Sequence, residues 1–416
     1  MVQLDSDLTA RLSSLSRQGL LRELRRVDSP QSVQIRIAGT TLLNFSSNDY
    51  LGLANHPRLK SAAVEAIEKY GAGGGASRLI CGSLKPHHEL EESLASFKGT
   101  AAALSFSSGY AAAIGMICAL MRKEDVIILD QLIHASIIDA ARLCGAKLEI
   151  FPHNDLNHLK ELLQISKQAR GKVAKPHRRS PASPLNSSVG SSRTLIITES
   201  IFSMDGDRAP LREIVGLKEK YGAWLMLDEA HATGLYGPRH RGIADELGVS
   251  DQIEIQMGTL GKALGAAGGY ICGSRPLIDY LINRARPFIF STAPVPAAVA
   301  AAKAAIGVAQ SAEGDSRRKA LWARVSQLVK GTDIKISPGK SPIIPFIIGN
   351  EVEAIRVAAG LRDCGIFVPA IRYPTVARNK ARLRLTLSAA HTSSDVRKLS
   401  AALAKMNHNT LPLAGH

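Results

Sequence analysis

The chain has 416 residues, 45% of them hydrophobic and 21% charged, which excludes a disordered polypeptide and fits two or three domains, or one large α/β domain with an appendage. A net charge of +16 invites a nucleic-acid reading, yet only 5% of residues are aromatic and no zinc-finger or RNA-recognition signature is present, which argues against a base-stacking surface. Five cysteines lie far apart with no C-x-x-C pair, a pattern that excludes a disulfide-stapled scaffold and a cysteine-based zinc ribbon.

The N-terminus carries Asp5 and Asp7 and no apolar signal segment, so a cytoplasmic protein is expected. Leu8, Leu12 and Leu15, then Leu20, Leu21 and Leu24, recur at helix-like intervals as far as Pro30. They predict an amphipathic helix broken near Gly19. Residues 59–70 read as a helix ended by Gly71, and 89–97 as another ended by Gly99. Short apolar runs follow at 126–129, 148–151, 195–197, 224–227, 253–256 and 270–272, with helical patterns such as 136–144 and 211–221 between most of them. Strands buried on both faces and separated by helices predict a mostly parallel α/β sheet. The longest apolar stretches, 101–121 and 293–309, are broken by Ser and Gly or by Pro and Lys, so no membrane span is expected. Residues 382–387 (RLRLTL) alternate strictly, as a strand with one wet face does. The expected division is an N-terminal helical segment over 1–55, a large α/β domain over 56–292 and a smaller α+β domain over 293–416. Within the large domain, 166–193 holds seven basic residues and no acidic one, is rich in Ser and Pro, and reads as a mobile surface insertion. It is either solvated or a patch for an acidic partner.

Ligands of open α/β sheets gather at the carboxyl ends of the strands. Four of the expected strands run into polar residues there: Asp130 and His134, then Glu199 to Asp207, then Asp228-Glu229-Ala230-His231, then Thr259-Leu260-Gly261-Lys262. Lys262 sits among Gly258, Gly261, Gly265, Gly268 and Gly269 with almost no charge nearby. It reads either as a lysine covering a glycine turn or as an amine brought against a bulky planar group, where partial burial makes it a nucleophile toward carbonyls. Asp228 reads either as a helix cap or as the carboxylate that keeps a pyridinium nitrogen protonated, as a pyridoxal phosphate (PLP) electron sink requires. His231, three residues on, reaches the same ring if the turn is tight. Ser107-Ser108-Gly109-Tyr110, ahead of the apolar run 111–121, is an ordinary N-cap or a phosphate cradle at a helix start. The pairs His87-His88 and His153/His158 lack ligand spacing, and no metal site is expected.

Three motifs resemble the α-oxoamine synthase family: Leu227-Asp228-Glu229-Ala230-His231-Ala232-Thr233-Gly234, Gly258-Thr259-Leu260-Gly261-Lys262-Ala263-Leu264-Gly265, and Phe202-Ser203-Met204-Asp205-Gly206-Asp207. The resemblance spans about Asn44 to Leu399, in order. It implies a PLP-dependent transferase fold of the aspartate aminotransferase type (fold type I), with a mostly parallel central sheet and a smaller α+β C-terminal domain. It also implies an acyltransferase that condenses an amino acid with an acyl thioester and expels CO2. The end motifs, 44–53 (NFSSNDYLGL), 371–376 (IRYPTV) and 381–391 (ARLRLTLSAAH), are most similar to those of members that join L-alanine to a pimeloyl thioester in biotin biosynthesis. Another member of the family, such as a glycine C-acetyltransferase, is the alternative.

Carried over by this resemblance, Lys262 holds PLP and moves the substrate Cα proton, Asp228 pairs with the pyridine nitrogen, and His134 stacks on the ring and meets the substrate. Ser203 and His231 reach the phenolic oxygen. Gly109 and Tyr110 offer main-chain contacts to the phosphate, Thr259 its hydroxyl, and Thr292 reaches the phosphate held by the partner subunit. Arg372 grips the amino-acid carboxylate, a bidentate role that suits guanidinium. Thr375 and Arg25 lie along the acyl substrate, Arg25 at the pimeloyl carboxylate, with Asn48 also on the substrate side. The implied assembly is a homodimer with active sites at the subunit interface, and the acyl donor is carried by CoA or by an acyl-carrier protein. A basic nucleic-acid-binding protein on an inactive α/β scaffold is the reading from a different class. The chain departs from the family at 376–380 (VARNK), where Pro and Gly are usual, at Ala113, where Asn is common, and in the length of the basic insertion. These departures bear on acyl specificity more than on reaction type.

Overall fold

A computed structural model describes residues 3–172, 192–332 and 341–410, which divide into two compact units. The smaller comprises Met1–His56, Ser203–Asp207 and Ala312–His416; the larger comprises Pro57–Phe202 and Arg208–Ser311.

The smaller unit starts with helix α1 (Gln3–Arg17), which buries no residue; Leu4, Leu8, Leu12 and Leu15 form an exposed stripe along it. The helix expected to resume at Leu20 does not form. Gly19 takes φ +65°, and the chain beyond it is extended and irregular. Strands β1 (Gln34–Ile37) and β2 (Thr40–Asn44) then pair as an antiparallel hairpin. Its two-residue turn, Ala38-Gly39, has positive φ at both positions, as a tight hairpin of this twist needs.

In the larger unit, helices α2 (Pro57–Tyr70) and α3 (Lys85–Lys98) precede strand β3 (Ala102–Phe106), helix α4 (Gly109–Leu120), strand β4 (Val126–Asp130), helix α5 (Ala135–Cys144), strand β5 (Lys147–Phe151) and helix α6 (Leu156–Lys172). Then come β6 (Thr194–Glu199), α7 (Leu211–Tyr221), β7 (Trp224–Asp228), the short α8 (Ile243–Leu247), β8 (Ile255–Thr259), β9 (Gly269–Gly273), α9 (Arg275–Arg284), α10 (Arg286–Ile289) and α11 (Pro296–Ala309). The seven strands form one sheet in the order β3-β9-β8-β7-β6-β4-β5. Only β9 runs against the others. One face of the sheet presents Leu104, Ile127, Leu129, Ile197, Met226, Met257 and Ile271 to Met116, Ile117, Ile137 and Leu281 of the covering helices. Each such side chain contributes about 1.5–3 kcal/mol by leaving water.

All six expected strands form, with the run at 253–256 shifted onward to Ile255–Thr259. Strand β3 was hidden inside the apolar stretch 101–121, where Ser107 and Ser108 mark a change from strand to helix. The basic insertion is helical, not a loop, as far as Lys172: α6 continues through its first residues, and Ser166 is buried with its hydroxyl against Thr194 Oγ1. Residues 173–191 of that insertion lie outside the described residues. The expected boundary at 292/293 also moves. Helix α11 packs on α2 and α3 of the larger unit, so the break falls after Ser311.

The rest of the smaller unit is helix α12 (Ala312–Lys330), strand β10 (Ile343–Gly349), helix α13 (Glu351–Asp363), strands β11 (Ile366–Phe367), β12 (Ala370–Ile371) and β13 (Ala381–Thr386), and helix α14 (Ser393–Thr410). Strand β11 joins β2 in parallel, and β13 lies between β10 and β12. The alternation in β13 does not mark a wet face, because all six of its residues are buried. Arg382 bonds Asp205 Oδ1 at 2.6 Å. Arg384, 7% exposed, bonds the Ser203 carbonyl at 2.5 Å, Asn48 Oδ1 at 2.9 Å and the Tyr50 hydroxyl at 3.2 Å. Its polar face is thus spent on two segments of the same unit, 48–50 and 203–205.

His391 ties this region together. Its Nδ1 accepts from the Ser388 amide at 2.9 Å, its Nε2 lies 3.1 Å from the Asn44 carbonyl, and its ring stacks on Phe45 with centroids 4.2 Å apart. Burial pushes its pKa down to about 4. The unfolded chain therefore binds a proton near pH 6.5 that the folded chain refuses until about pH 4, so stability falls as pH drops through that window. The predicted loss is about 3 kcal/mol at pH 4 relative to pH 7. Urea midpoints at both pH values check it, and His391→Asn should show a smaller difference between them.

Candidate active site

Parallel pairing sets four strand ends side by side. Glu199 of β6 stands opposite Asp228 of β7, and Asp228 opposite Met257 of β8, two residues before Thr259. Asp130 ends β4 on the same edge. The sheet therefore carries its polar residues at its carboxyl edge, as the sequence predicts.

Lys262 lies in the connection from β8 to β9, which folds back tightly. The Leu260 amide donates to the Gly268 carbonyl and the Ala266 amide to the Leu260 carbonyl, both at 2.9 Å. Gly268 takes φ +118°, which a side chain rarely tolerates. The half-buried Lys262 presents Nζ 2.7 Å from His231 Nε2. Asp228 is buried, and its Oδ1 accepts the Ala230 amide at 2.8 Å, which folds the chain so that His231 returns toward Lys262. Among the described residues no donor meets Asp228 Oδ2. His134 caps α5: its Nδ1 accepts from the Ser136 amide at 3.2 Å, which puts the proton of the neutral ring on Nε2. Burial holds His134 below the ordinary imidazole range, while the nearby Asp228 carboxylate pulls it up and the Lys262 ammonium pushes it further down.

Gly109 opens α4 behind the N-cap Ser108, whose hydroxyl accepts the Ala111 amide at 3.0 Å. A Cβ at Gly109 would meet only Thr259 Cβ at 3.8 Å and Met257 Cε at 3.9 Å, so the helix start opens beside Thr259. Thr259 Oγ1 bonds the Gly268 carbonyl at 2.9 Å. Tyr110 is half exposed, and its hydroxyl bonds Asp139 Oδ2 at 2.9 Å. Thr292 is exposed and bridges to Ser77.

The remaining predicted residues belong to the smaller unit. Ser203 and Asn48 meet at Arg384, as described. Arg25 and Arg372 line a cavity of about 490 Å³ with Arg22, Arg362 and Phe367. Arg372 donates to the carbonyls of Gly19 and Leu21, and its pKa is lowered by burial and by the charges of Arg22 and Arg25. Thr375 Oγ1 lies 3.5 Å from the Arg22 guanidinium.

Residues 40–403 match the family model of class I and II aminotransferases. The chain is 44% identical over 405 residues to the 8-amino-7-oxononanoate synthase of Geobacter sulfurreducens, covering 96% of this chain and 97% of that protein. The same enzyme of Geotalea daltonii is 43% identical over 396 residues, covering 94% and 95%.

The chain belongs to the 8-amino-7-oxononanoate synthases of the class I and II aminotransferase family.

Among solved structures, a lysine-to-alanine variant of serine palmitoyltransferase from S. paucimobilis with a bound PLP–myriocin aldimine superimposes with a TM-score of 0.87 at 27% identity, covering 99% of each chain. The 8-amino-7-oxononanoate synthase of Francisella tularensis superimposes with a TM-score of 0.71 at 27% identity, covering 89% of this chain and 99% of that one. Among the described residues no helix is long and apolar enough to cross a membrane, and no cluster of metal-ligating side chains is found.

Sequence reasoning did not single out several residues that shape the chain beside this edge. Lys98, the last residue of α3, is 1% exposed and bonds Glu229. Gly242, with φ +137°, leaves the space that the Glu229 carboxylate occupies. Gly269 lets β9 lie against the start of α4: a Cβ there would stand 2.5 Å from the Ser108 carbonyl oxygen and 2.6 Å from Gly109 Cα. The only signal for Gly269 is its place in the glycine run after Lys262. Gly269→Ala should cost about 1–3 kcal/mol by overpacking. It should also displace Ser108 and Gly109 and weaken cofactor retention, which thermal unfolding and a cofactor titration on the same variant would read.

Proposed function

We propose that this protein is a PLP-dependent acyltransferase that condenses L-alanine with a pimeloyl thioester to give 8-amino-7-oxononanoate, CO2 and the free carrier. A C–C bond forms between the alanine Cα and the acyl carbon, the C–S bond breaks, and the carboxylate leaves as CO2, its place taken by a proton. The observation that carries this reading is the meeting of Lys262, His231, Asp228 and His134 at one sheet edge beside the opening of α4. The group fits PLP by its chemistry. Asp228 has an oxygen without a protein donor, suited to a protonated ring nitrogen, and Gly109 leaves room beside Thr259 for a phosphate at a helix start. The identity of 43–44% over nearly the full length with 8-amino-7-oxononanoate synthases supports alanine and a pimeloyl group as substrates.

When bound, PLP supplies an electron sink that acidifies the alanine Cα proton. In this reading Lys262 anchors the cofactor through Nζ and then takes and returns the proton at Cα. His231, within hydrogen-bond reach of that Nζ, would orient it and, with Ser203, would serve the cofactor's phenolic oxygen. Asp228 would keep a proton on the ring nitrogen, and His134, held below the ordinary imidazole range by burial, would stack on the ring. The Gly109 and Tyr110 amides and the Thr259 hydroxyl hold the phosphate, with Thr292 serving the partner subunit of a homodimer. Arg372 holds the alanine carboxylate after releasing the Gly19 and Leu21 carbonyls. Arg25, Thr375 and Asn48 line the acyl side, with Arg25 at the distal carboxylate. The donor is CoA-bound or carried by an acyl-carrier protein in the cytoplasm.

Lys262→Ala should abolish turnover and the visible absorbance of bound cofactor while leaving the circular dichroism unchanged. Product formation near the wild-type rate would refute the assignment. Arg25→Ala should raise the KM for the pimeloyl donor by one to two decades, as loss of a charge-assisted contact worth about 1.5–3 kcal/mol implies. The KM for alanine should stay nearly constant, and steady-state kinetics on both substrates decides.

A further inference from the structure

One buried ammonium ties together three segments of the larger unit. Lys98 is the last residue of α3, and its Nζ donates to Glu229 Oε2 at 3.3 Å and to the Arg241 carbonyl. Lys98 is 1% exposed and Glu229 0%. Glu229 Oε1 accepts the Ala244 amide at 2.9 Å, at the start of α8. The main chain of Glu229 is equally committed. Its amide donates to the Met257 carbonyl of β8 at 2.8 Å, and its carbonyl accepts from the amides of Ala232 and Thr233 and from Thr233 Oγ1, each at 2.9 Å. The far side is closed as well. The Arg241 guanidinium bonds the Ser96 carbonyl at 3.2 Å and fills the space that a Cβ on Gly99 would take.

Stability alone does not explain such a pair, because a buried ion pair is commonly matched by apolar residues of the same volume. It supplies direction and charge balance. Glu229 lies between Asp228, whose Oδ1 folds the turn through Ala230, and His231, which meets Lys262 at 2.7 Å. A second buried carboxylate beside Asp228 is a like charge at the place where a single fixed anion is wanted. We infer that Lys98 is a positioning residue for the reaction: acting through Glu229, it fixes the Asp228–His231 turn and cancels the second carboxylate of that turn. Burial raises the Glu229 carboxyl above the ordinary carboxylate range, and the Lys98 ammonium and the Ala244 amide draw it only part of the way back.

The inference rests on the PLP reading above for its readout, so the wild-type protein is the first control. A wild type that gains no visible band with PLP refutes that reading and not the role of Lys98. Lys98→Met leaves Glu229 buried without its cation, and Lys98→Met/Glu229→Gln removes both charges while keeping an acceptor for the Ala244 amide. Each is compared with wild type by thermal unfolding, PLP titration, the visible spectrum of the loaded enzyme, and kcat and KM for alanine. Lys98→Met is expected to bind PLP about tenfold more weakly and to show an altered visible spectrum. Its kcat should fall by roughly a hundredfold, the cost of a misplaced reacting group, with the KM for alanine changed by less than about threefold. The double variant is expected to recover the unfolding temperature but only part of the kcat and PLP affinity. If Lys98→Met does not fold, the double variant carries the test. Either folded variant with wild-type PLP affinity, spectrum and kcat overturns the inference and leaves Lys98 a packing residue.

Discussion

The site depends on the register of parallel strands. Side chains alternate across a sheet, so a slip of one residue between β6 and β7 or between β7 and β8 would turn Asp228 to the opposite face. The pairing of Asp228 with Glu199 and Met257 prevents that slip, and the Glu229 amide extends the ladder by one bond past the end of β7. Everything after the strand end inherits this placement. The turn that returns His231 to Lys262 starts from a residue whose height and facing are already set.

Each unit also holds charge in its interior. Arg78 meets Glu91 at 2.9 Å with both side chains largely buried, Lys98 meets Glu229, and Arg384 serves Ser203, Asn48 and Tyr50. Such contacts contribute less to net stability than their number suggests, because desolvation offsets most of the attraction. They are directional, however, and an ionic fork accepts few alternative geometries. In both units they stand next to residues assigned to the reaction.

The architecture was legible because its signals are local. Apolar runs between glycine-ended helices announce a parallel sheet, and the motifs around Asp228 and Lys262 fall at strand ends where ligands collect. The misreadings have separate causes, and the first is that burial is set by distant partners. The RLRLTL alternation looks half wet until Asp205, Ser203 and Asn48 are seen to meet its arginines. Leu20, Leu21 and Leu24 keep a helical spacing after Gly19 has already turned the chain. Lys98 resembles every other lysine near a helix end, and its carboxylate lies far along the sequence. The start of the basic insertion looked like a loop because its Ser and Pro content masked the continuation of α6.

The smaller unit is assembled from three separate stretches of chain, one of them only five residues long. In synthesis from the N-terminus, every strand of the seven-stranded sheet emerges before β11 and β13 exist. Leu43 and Asn44 of β2 must wait for Ile366 and Phe367, and Ser203 for Arg384. Such long-range closure is slow compared with the local pairing that builds hairpins and helices. The nascent chain can therefore acquire Lys262, Asp228 and His134 in their sheet while Arg25 still lacks the cavity wall that Phe367 and Arg372 provide. Vectorial synthesis thus gives the two units different birth times, the sheet edge that carries Lys262, Asp228 and His134 first and the arginine-lined cavity last.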